Sequence, residues 1–368
     1  SSNISLLRPI FSNVNSMKMI RESIFVAAIR TFCSAFAAIL GIVIAIAIIF
    51  YVISTVSAPK IYPEKSQLQL EPDAEGRMQL LSESSPAVLK IDIHGVIGEG
   101  DLTSQKIEKI LRESREDMLK NNRVKAVLLH INTPGGEVSN ADGIYRALLE
   151  YKKKYQVPIY VYVDGLCASG GMYIASAADK IYASSSSVIG SIGIILGPTF
   201  NFSGTLDKIG MQSLTLTEGK DKDMLNPFRP WQEGEYESLN AILAALYDQF
   251  LNVVSNARPK LSKEALINDY GAQVYVSEKA KELGYIDIAC SNYSTALSDL
   301  VKEANIPENQ QYQVVKLELP HSFLSQLAQA RSPHLTGKLT HSFQLGPNFN
   351  SDLSGKFLYL YQPSVSSQ

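Results

Sequence analysis

The sequence predicts an α/β fold with a parallel sheet, preceded by one N-terminal transmembrane helix. Two observations predict this class. From about residue 87 onward, short apolar runs typical of buried strands alternate with segments of helical periodicity. A long apolar run without a charge lies before them. The composition agrees, because 45% hydrophobic and 19% charged residues indicate a globular chain with an additional apolar segment.

The elements follow one another in the order expected of βαβ units. The predicted strands are residues 87–97, 125–132, 157–164, 180–183, 213–217 and 314–319. The predicted helices are residues 102–121, 140–155, 169–178, 235–258 and 323–331. The helix at 235–258 is amphipathic, and its apolar stripe is interpreted as a core or subunit contact.

The apolar run at residues 32–53 is 22 residues long and carries no charge. A helix of this length rises roughly 33 Å, about the thickness of the hydrocarbon core of a bilayer. A signal peptide cleaved near Ala58 is the alternative, but the run is longer than a secretory apolar region. Basic residues precede the run and acidic residues follow it, which predicts a cytoplasmic N-terminus and an extracytoplasmic C-terminal part.

The chain is accordingly divided into five parts. These are a short cytoplasmic N-terminus (1–31), a single-pass anchor helix (32–54), a polar stalk (55–85), the main domain (86–306) and a C-terminal extension of unknown role (307–368).

Charge and cysteine usage exclude several classes of protein. The formal net charge of −2 argues against a nucleic-acid partner. The cysteines at 33, 167 and 290 are far apart, so the sequence indicates neither a disulfide framework nor a zinc site. No cofactor or metal is expected.

The segment from Asp164 to Gly171 (DGLCASGG) joins an apolar strand to a helix of small residues. A serine at such a turn, here Ser169, has its hydroxyl lifted clear of the sheet, and amides at the helix start point toward developing negative charge. Ser169 is equally well placed as a helix N-cap, so both interpretations stand on local sequence. Cys167 replaces the first glycine of a G-x-S-x-G elbow.

A second glycine pair, Gly135-Gly136, follows the strand at 125–132. Sites in open parallel sheets form beyond the carboxyl ends of neighbouring strands, so this pair can face Ser169 and supply an amide. A simple tight turn is the alternative.

A serine nucleophile needs a base. His94 and His130 lie in or at the end of predicted strands, and the remaining histidines lie in the C-terminal extension. A lysine whose ammonium is desolvated can also accept a proton. Lys220 and Lys222 lie in a charged turn, which by spacing alone is more typical of solvated surface.

The motifs INTPGGEV, CASGGMYIASAADKIYA, IGSIGI and GKDKDMLNPFRP, in this order, resemble the signal peptide peptidase A family over roughly residues 87–300. The resemblance implies a Clp protease/crotonase-like fold of repeated ββα units and a Ser-Lys dyad of Ser169 and Lys222. Lys222 is favoured over Lys220 because it directly precedes the DMLNP stretch. The resemblance also implies that Ser191 helps to hold the lysine and that the amides of Gly136 and Gly170 form the oxyanion hole.

The resemblance further implies a membrane-anchored serine endopeptidase that degrades cleaved signal peptides and other exported or misfolded peptides. It implies a homo-oligomer with sites at subunit interfaces, serine and lysine coming from adjacent subunits, on the outer side of the inner (cytoplasmic) membrane. The chain departs from the family pattern at Thr133, where a serine is more usual, and in the extension past Pro307.

Three alternatives remain open from the sequence. Cys167 could be the nucleophile, although its position predicts an inward-facing side chain. An acyl-CoA enzyme could use the same glycine amides to hold an enolate. A catalytically inactive, membrane-bound scaffold of this fold could bind peptides without cleaving them.

Overall fold

The computed structural model describes residues 24–56, 65–318 and 356–361. Two compact units are present, Ser1–Pro63 and Glu64–Gln368, and each is described by itself. The helix predicted at residues 323–331 lies outside the described residues.

The first unit contains one long helix, α1 (Ile24–Val56). Its segment Val26–Ile49 is long and apolar enough to cross a membrane, and the apolar side chains along it are exposed. The predicted anchor at 32–54 therefore lies within a continuous helix, which begins earlier than the uncharged run and includes Arg30. Length and composition make this helix a candidate membrane span.

The second unit is built on an eight-stranded sheet with the order β1-β9-β2-β3-β5-β7-β8 and with β6 beside β5. The strands are β1 (Gln67–Glu71), β2 (Ala87–His94), β3 (Val124–Thr133), β5 (Ile159–Ala168), β6 (Lys180–Ala183), β7 (Val188–Gly190), β8 (Val274–Val276) and β9 (Gln313–Glu318). The central pairs are parallel, and the β1–β9 and β7–β8 pairs are antiparallel. The predicted α/β class with a parallel sheet is confirmed.

Two short strands form a separate ladder beside the carboxyl ends of the central strands. They are β4 (Gly135–Glu137) and β10 (Leu358–Leu360), which pair antiparallel.

Helices cover both faces of the main sheet. The α-helices described in this unit are α2 (Ser104–Glu113), α3 (Val138–Tyr155), α4 (Gly170–Ala175), α5 (Ser203–Lys208), α6 (Glu237–Ala257), α7 (Lys263–Ala265), α8 (Ser277–Leu283) and α9 (Tyr293–Glu303). One face carries the larger core, into which α2 and α3 insert Ile107, Leu111, Ile144 and Leu148. The other face is covered by α9, whose Leu297 and Leu300 pack in a smaller core. Burial on both faces explains why β3 and β5 read as nearly continuous apolar runs.

The helix boundaries follow from capping residues. Thr103 precedes α2, and its side chain accepts a hydrogen bond from the Lys106 amide. Asn292 does the same for α9, accepting from the Thr295 amide at 2.9 Å. Short polar side chains satisfy amides that have no partner within the helix, and so fix where each helix begins.

The prediction of a strand at residues 213–217 is wrong. This segment is irregular in the structure, and its two leucines, Leu214 and Leu216, are 83% and 86% exposed. An alternating pattern forms a strand only where a neighbouring strand can pair with it, and no described strand runs alongside these residues.

The predicted stalk and the predicted extension each contribute a strand to the main sheet. Residues 67–71, assigned to the stalk, form β1, and residues 313–318, assigned to the extension, form β9 between β1 and β2. β9 pairs parallel with β2 and antiparallel with β1, with Leu68 opposite Leu317. The two segments are far apart in the chain, so neither shows its partner in local sequence.

Candidate functional site

Ser169 lies between the end of β5 and the start of α4, as the sequence predicts. Its backbone has φ 55° and ψ −113°, a conformation that L-residues rarely adopt. The Ser169 amide donates to the Gly190 carbonyl at 2.9 Å, and its carbonyl accepts from the Tyr173 amide at 3.1 Å. The side chain makes no N-cap hydrogen bond. Strained backbone of this kind is concentrated at functional sites, so the capping interpretation does not account for Ser169.

The Ser169 hydroxyl points toward the segment that follows β7. Its Oγ lies 3.5 Å from the carbonyl oxygen of Gly193, and the residue is only 1% exposed. Ala168 pairs with Gly190, so Ser191 is the next residue along beside Ser169. Ser191 is buried and has φ 55°, with its amide bonded to the Gln273 carbonyl at 2.7 Å. The two predicted serines are therefore held on adjacent strand ends.

The glycine pair after β3 lies against the start of α4. Gly135 has φ 99°, and a Cβ added there would come within 2.8 Å of the Gly170 amide nitrogen. Its neighbour Gly136 is equally crowded, because an added Cβ would overlap the Ile97 backbone. Only glycine fits both positions, and the close approach at Gly135 places this glycine turn against Gly170, the residue that follows Ser169.

Thr133 fixes the conformation of this glycine turn. Its Oγ1 donates to the Gly95 carbonyl at 2.5 Å and accepts from the Gly135 amide at 3.1 Å. A serine hydroxyl could make the same two bonds, so the substitution preserves the function of the side chain. The Thr133 methyl group also packs close to Gly171.

Lys222 is exposed, in an irregular segment far along the chain from the other predicted site residues. Among the residues that the structure describes, no hydrogen bond or ion pair joins its ammonium to Ser169. Lys220 is also exposed, with its Nζ 4.0 Å from the Asp221 carboxylate. The structure thus brings together Ser169, Gly170, Gly136 and Ser191 within one chain, but not Lys222.

The conformation of the loop that carries Lys222 is set by Arg229, which the sequence did not single out. The Arg229 guanidinium donates to both carboxylate oxygens of Asp223 and to Glu235. Hydrogen bonds from Arg229 hold the pKa values of Asp223 and Glu235 below their usual range. Glu235 also accepts from the Leu225 amide at 2.8 Å. This network shapes the backbone on the C-terminal side of Lys222.

Cys167 is fully buried, and its Sγ contacts the Met172 sulfur at 3.7 Å. Burial raises the pKa of the thiol far above its usual value. Because only a thiolate is an effective nucleophile, the structure argues against Cys167 as the attacking group.

His94 and His130 lie at the face of the sheet that α9 covers, with their rings 4.6 Å apart. With Asp92 they form a group whose ligand atoms lie within 4.8 Å of one another, close enough for a metal ion. Lys316 bonds the Asp92 carboxylate at 2.6 Å, however, and Lys90 lies 3.6 Å from it. Burial alone would raise the pKa of Asp92, but contacts with His130 and these lysines hold it well below its usual value. The lysines therefore compete with a metal ion for this carboxylate.

The fold and the site define a class: an α/β protein that presents a buried, strained serine at a strand-to-helix turn beside two glycine backbones. A model of peptidase family S49 matches residues 151–307. The Enterococcus faecium protein named "Putative signal peptide peptidase SppA" is 33% identical over 235 residues, which are 61% of this chain and 66% of that protein.

A Synechocystis protein named "Putative protease slr0021" is 30% identical over 200 residues, 54% of this chain and 68% of that protein. Among solved structures, a mutant of ClpP1 from Listeria monocytogenes covers 56% of this chain and 94% of its own, with 17% identity and a TM-score of 0.38. The chain belongs to peptidase family S49, the signal peptide peptidase A family.

Proposed function

We propose that the protein is a serine endopeptidase with Ser169 as nucleophile and Lys222 as general base. The observation that carries this proposal is the position of Ser169, buried and strained beside the glycine turn at 135–136 and the first residue of α4. Acyl transfer needs a nucleophile next to preorganised donors for the developing oxyanion, and this arrangement supplies both.

In the proposed reaction the Ser169 Oγ attacks the peptide carbonyl carbon while its proton passes to the neutral amine of Lys222. The amides of Gly136 and Gly170 donate to the oxyanion, a contribution worth about 2.7–4 kcal/mol per donor in other serine peptidases. Lys222 then protonates the leaving amine. Water next attacks the acyl-enzyme carbonyl carbon as its proton passes to Lys222, and Lys222 returns the proton to the Ser169 Oγ when the bond between that oxygen and the acyl carbon breaks.

We place Lys222 in the site of a neighbouring subunit. Residues 199–231, here called the lysine arm, carry Lys222 and several exposed large apolar side chains. These are Phe200, Phe202, Ile209, Met211, Leu214, Leu216, Phe228 and Trp231. Exposed apolar surface of this extent is typical of protein–protein contacts. A homo-oligomer in which each arm crosses to the next subunit would cover these side chains and shield the lysine from water.

Ser191 is proposed to accept a hydrogen bond that holds the incoming lysine. The buried position of Ser191, on the strand end next to Ser169, supports this role. A neutral lysine that donates an N–H to the Ser191 hydroxyl oxygen would keep its single lone pair for the proton of the Ser169 hydroxyl.

The proposed substrates are cleaved signal peptides, as the name of the Enterococcus relative suggests, and, beyond that name, other exported or misfolded peptides. The apolar helix α1 would anchor the protein in the inner membrane with its N-terminus in the cytoplasm. Anchoring would bring the catalytic domain to substrates that remain in the bilayer.

A serine-reactive phosphonate probe tests this function. We expect the full chain, purified in detergent, to be labelled, and the Ser169→Ala variant to be unlabelled. Ser176→Ala is the matched control, because Ser176 is a buried serine at the C-terminal end of α4 whose hydroxyl donates to the Met172 carbonyl. Equal labelling of Ser169→Ala and wild type would refute the assignment of Ser169 as the nucleophile. If the wild-type protein were not labelled, the result would favour the alternative that the protein is a catalytically inactive scaffold that binds peptides.

A further inference from the structure

Two histidines and an aspartate lie close together near the carboxyl ends of β2 and β3, apart from the proposed catalytic residues. Asp92 and His94 are two residues apart on β2 and so point to the same face of the sheet, and His130 lies opposite Asp92 on β3. Each offers one ligand atom, and these atoms lie within 4.8 Å of one another. Two imidazoles and one carboxylate form a ligand set that divalent transition-metal ions bind in proteins.

Several polar atoms of this cluster are buried without a hydrogen-bond partner. Among the residues that the structure describes, nine buried side-chain polar atoms have no hydrogen bond, and three of the nine are Asp92 Oδ1 and the two ring nitrogens of His130. Buried polar groups in folded proteins almost always have a partner, so three such atoms in one cluster require an explanation. A bound cation would satisfy the carboxylate oxygen and one imidazole nitrogen together.

The separation of the ligand atoms fits a tetrahedral ion. A Zn²⁺ ion with bonds of about 2.0–2.1 Å holds its ligand atoms about 3.4 Å apart. Asp92 Oδ1 and His130 Nδ1 are 3.6 Å apart, which is too far for a hydrogen bond and close to this spacing. The His94 ring meets the His130 ring edge to face, and the His94 residue is exposed, so its side chain is free to turn toward a shared ion.

The charges around the cluster leave one carboxylate oxygen available. Lys316 bonds the other Asp92 oxygen, Oδ2, at 2.6 Å and also bonds Glu318 at 2.7 Å. Lys90 bonds Glu71 at 2.8 Å and lies 3.6 Å from Asp92 Oδ1. Two ammonium groups are thus shared among three carboxylates, so the competition of the lysines with a metal ion is partial. Lys316 can stay as the outer partner that orients the Asp92 carboxylate while an ion binds Oδ1.

The cluster is accessible from a cavity at the side of β2. β9 pairs with β2 only over residues 87–89, and farther along a cavity of about 540 Å³ is lined by both strands. Asp92 and His94 line this cavity from β2, and Lys316 lines it from β9. An ion therefore has an entry path, and water from the cavity can supply the fourth ligand of a tetrahedral site.

We propose that Asp92, His94 and His130 bind a divalent transition-metal ion, with Zn²⁺ as the ion that best matches two imidazoles, one carboxylate and one water. The ion would join the carboxyl ends of β2 and β3. Gly95, which follows His94, accepts the Thr133 hydrogen bond that fixes the glycine turn. Metal binding would therefore stiffen the strand ends that support this turn. The inference concerns binding alone and does not depend on the peptidase proposal.

Zinc binding to the full chain tests the site. The protein is purified in detergent through a tag without histidine, treated with a chelator and titrated calorimetrically with ZnCl₂ alone. We expect one ion bound per chain and a higher unfolding temperature in its presence. His94→Gln and Asp92→Asn should each weaken binding by more than about tenfold, because each removes one of three protein ligands. His94 is exposed, so its replacement should leave the fold intact.

His341→Gln is the matched control, because it removes a histidine from the C-terminal part of the chain and leaves the cluster unchanged. We expect wild-type affinity in this variant. Titration with Co²⁺, which binds the same types of ligand, gives a second readout: its visible absorption should show four-coordinate geometry in wild type and lose that signature in His94→Gln.

Two results would overturn the inference. One is a wild-type chain that binds no zinc, and the other is a His94→Gln variant that binds zinc as tightly as wild type. Neither measurement uses hydrolysis, so an inactive Ser169 would refute the peptidase proposal and leave the metal site standing. An active peptidase without zinc binding would refute the metal site alone.

Discussion

Ser169→Ala is expected to reduce peptide hydrolysis by about 10⁴-fold or more, because it removes the only atom that can form the acyl-enzyme in the proposed mechanism. The residual rate would come from the oxyanion donors and from substrate binding. The structure predicts little change in the fold, since among the described residues the Ser169 hydroxyl makes one hydrogen bond, of 3.5 Å, to the Gly193 carbonyl. The measurement is kcat/KM for a fluorogenic peptide, with thermal unfolding as the check on the fold.

Ser176→Ala is the control for this variant. Its hydroxyl donates to the Met172 carbonyl at 2.8 Å, a stronger bond than that of Ser169, so it should cost stability and leave hydrolysis nearly unchanged. If Ser169→Ala retained more than about a tenth of wild-type kcat/KM, the nucleophile would have to be sought elsewhere.

Lys222→Ala should lower kcat by about 10³-fold, within the range in which a positioned general base contributes. Lys220→Ala is the matched control, two residues away in the same exposed turn, and we expect a change of less than about threefold. Both lysines are exposed in the structure, so neither substitution should unfold the chain. The reverse result, with Lys220→Ala inactive and Lys222→Ala active, would assign the role of general base to Lys220 instead.

A lysine base also predicts the form of the pH profile. The amine must be unprotonated to accept the Ser169 proton, so wild-type kcat/KM should rise from mildly acidic to alkaline pH. The residual activity of Lys222→Ala should lose this rise. A flat wild-type profile over the same range would argue against a lysine.

Much of the central sheet could be predicted from local sequence, because its strands are buried on both faces and read as continuous apolar runs. β3 and β5 are the clearest cases. The outer strand β1 could not be predicted in this way, because local sequence shows no sign of a pairing with β9, which lies far away in the chain. The sequence predicts a strand at 314–319, where β9 lies, but not its position between β1 and β2. The alternating pattern at 213–217 predicted a strand wrongly for a related reason, because alternation of apolar and polar residues does not show whether a partner strand lies alongside.

The candidate site likewise contains some residues that local sequence could predict and others that it could not. Ser169 and the glycine pair carry local signals, a strand-to-helix turn and two positions where only glycine fits. The choice of Lys222 came from the resemblance to a family and not from spacing. The packing of Tyr359 against Tyr173 and Phe250 had no local signal, because it joins β10 to α4 and α6, which lie far away in the chain.

Ser169 is buried and Lys222 is exposed within one chain. The central claim is therefore that Lys222 of one subunit acts as the general base for Ser169 of the next. Co-expression of differently tagged Ser169→Ala and Lys222→Ala chains tests it most directly. Each variant alone should be inactive, whereas mixed oligomers purified through both tags should recover a substantial part of wild-type hydrolysis, because some sites combine an intact serine with an intact lysine. Mixed oligomers as inactive as the single variants would contradict the claim.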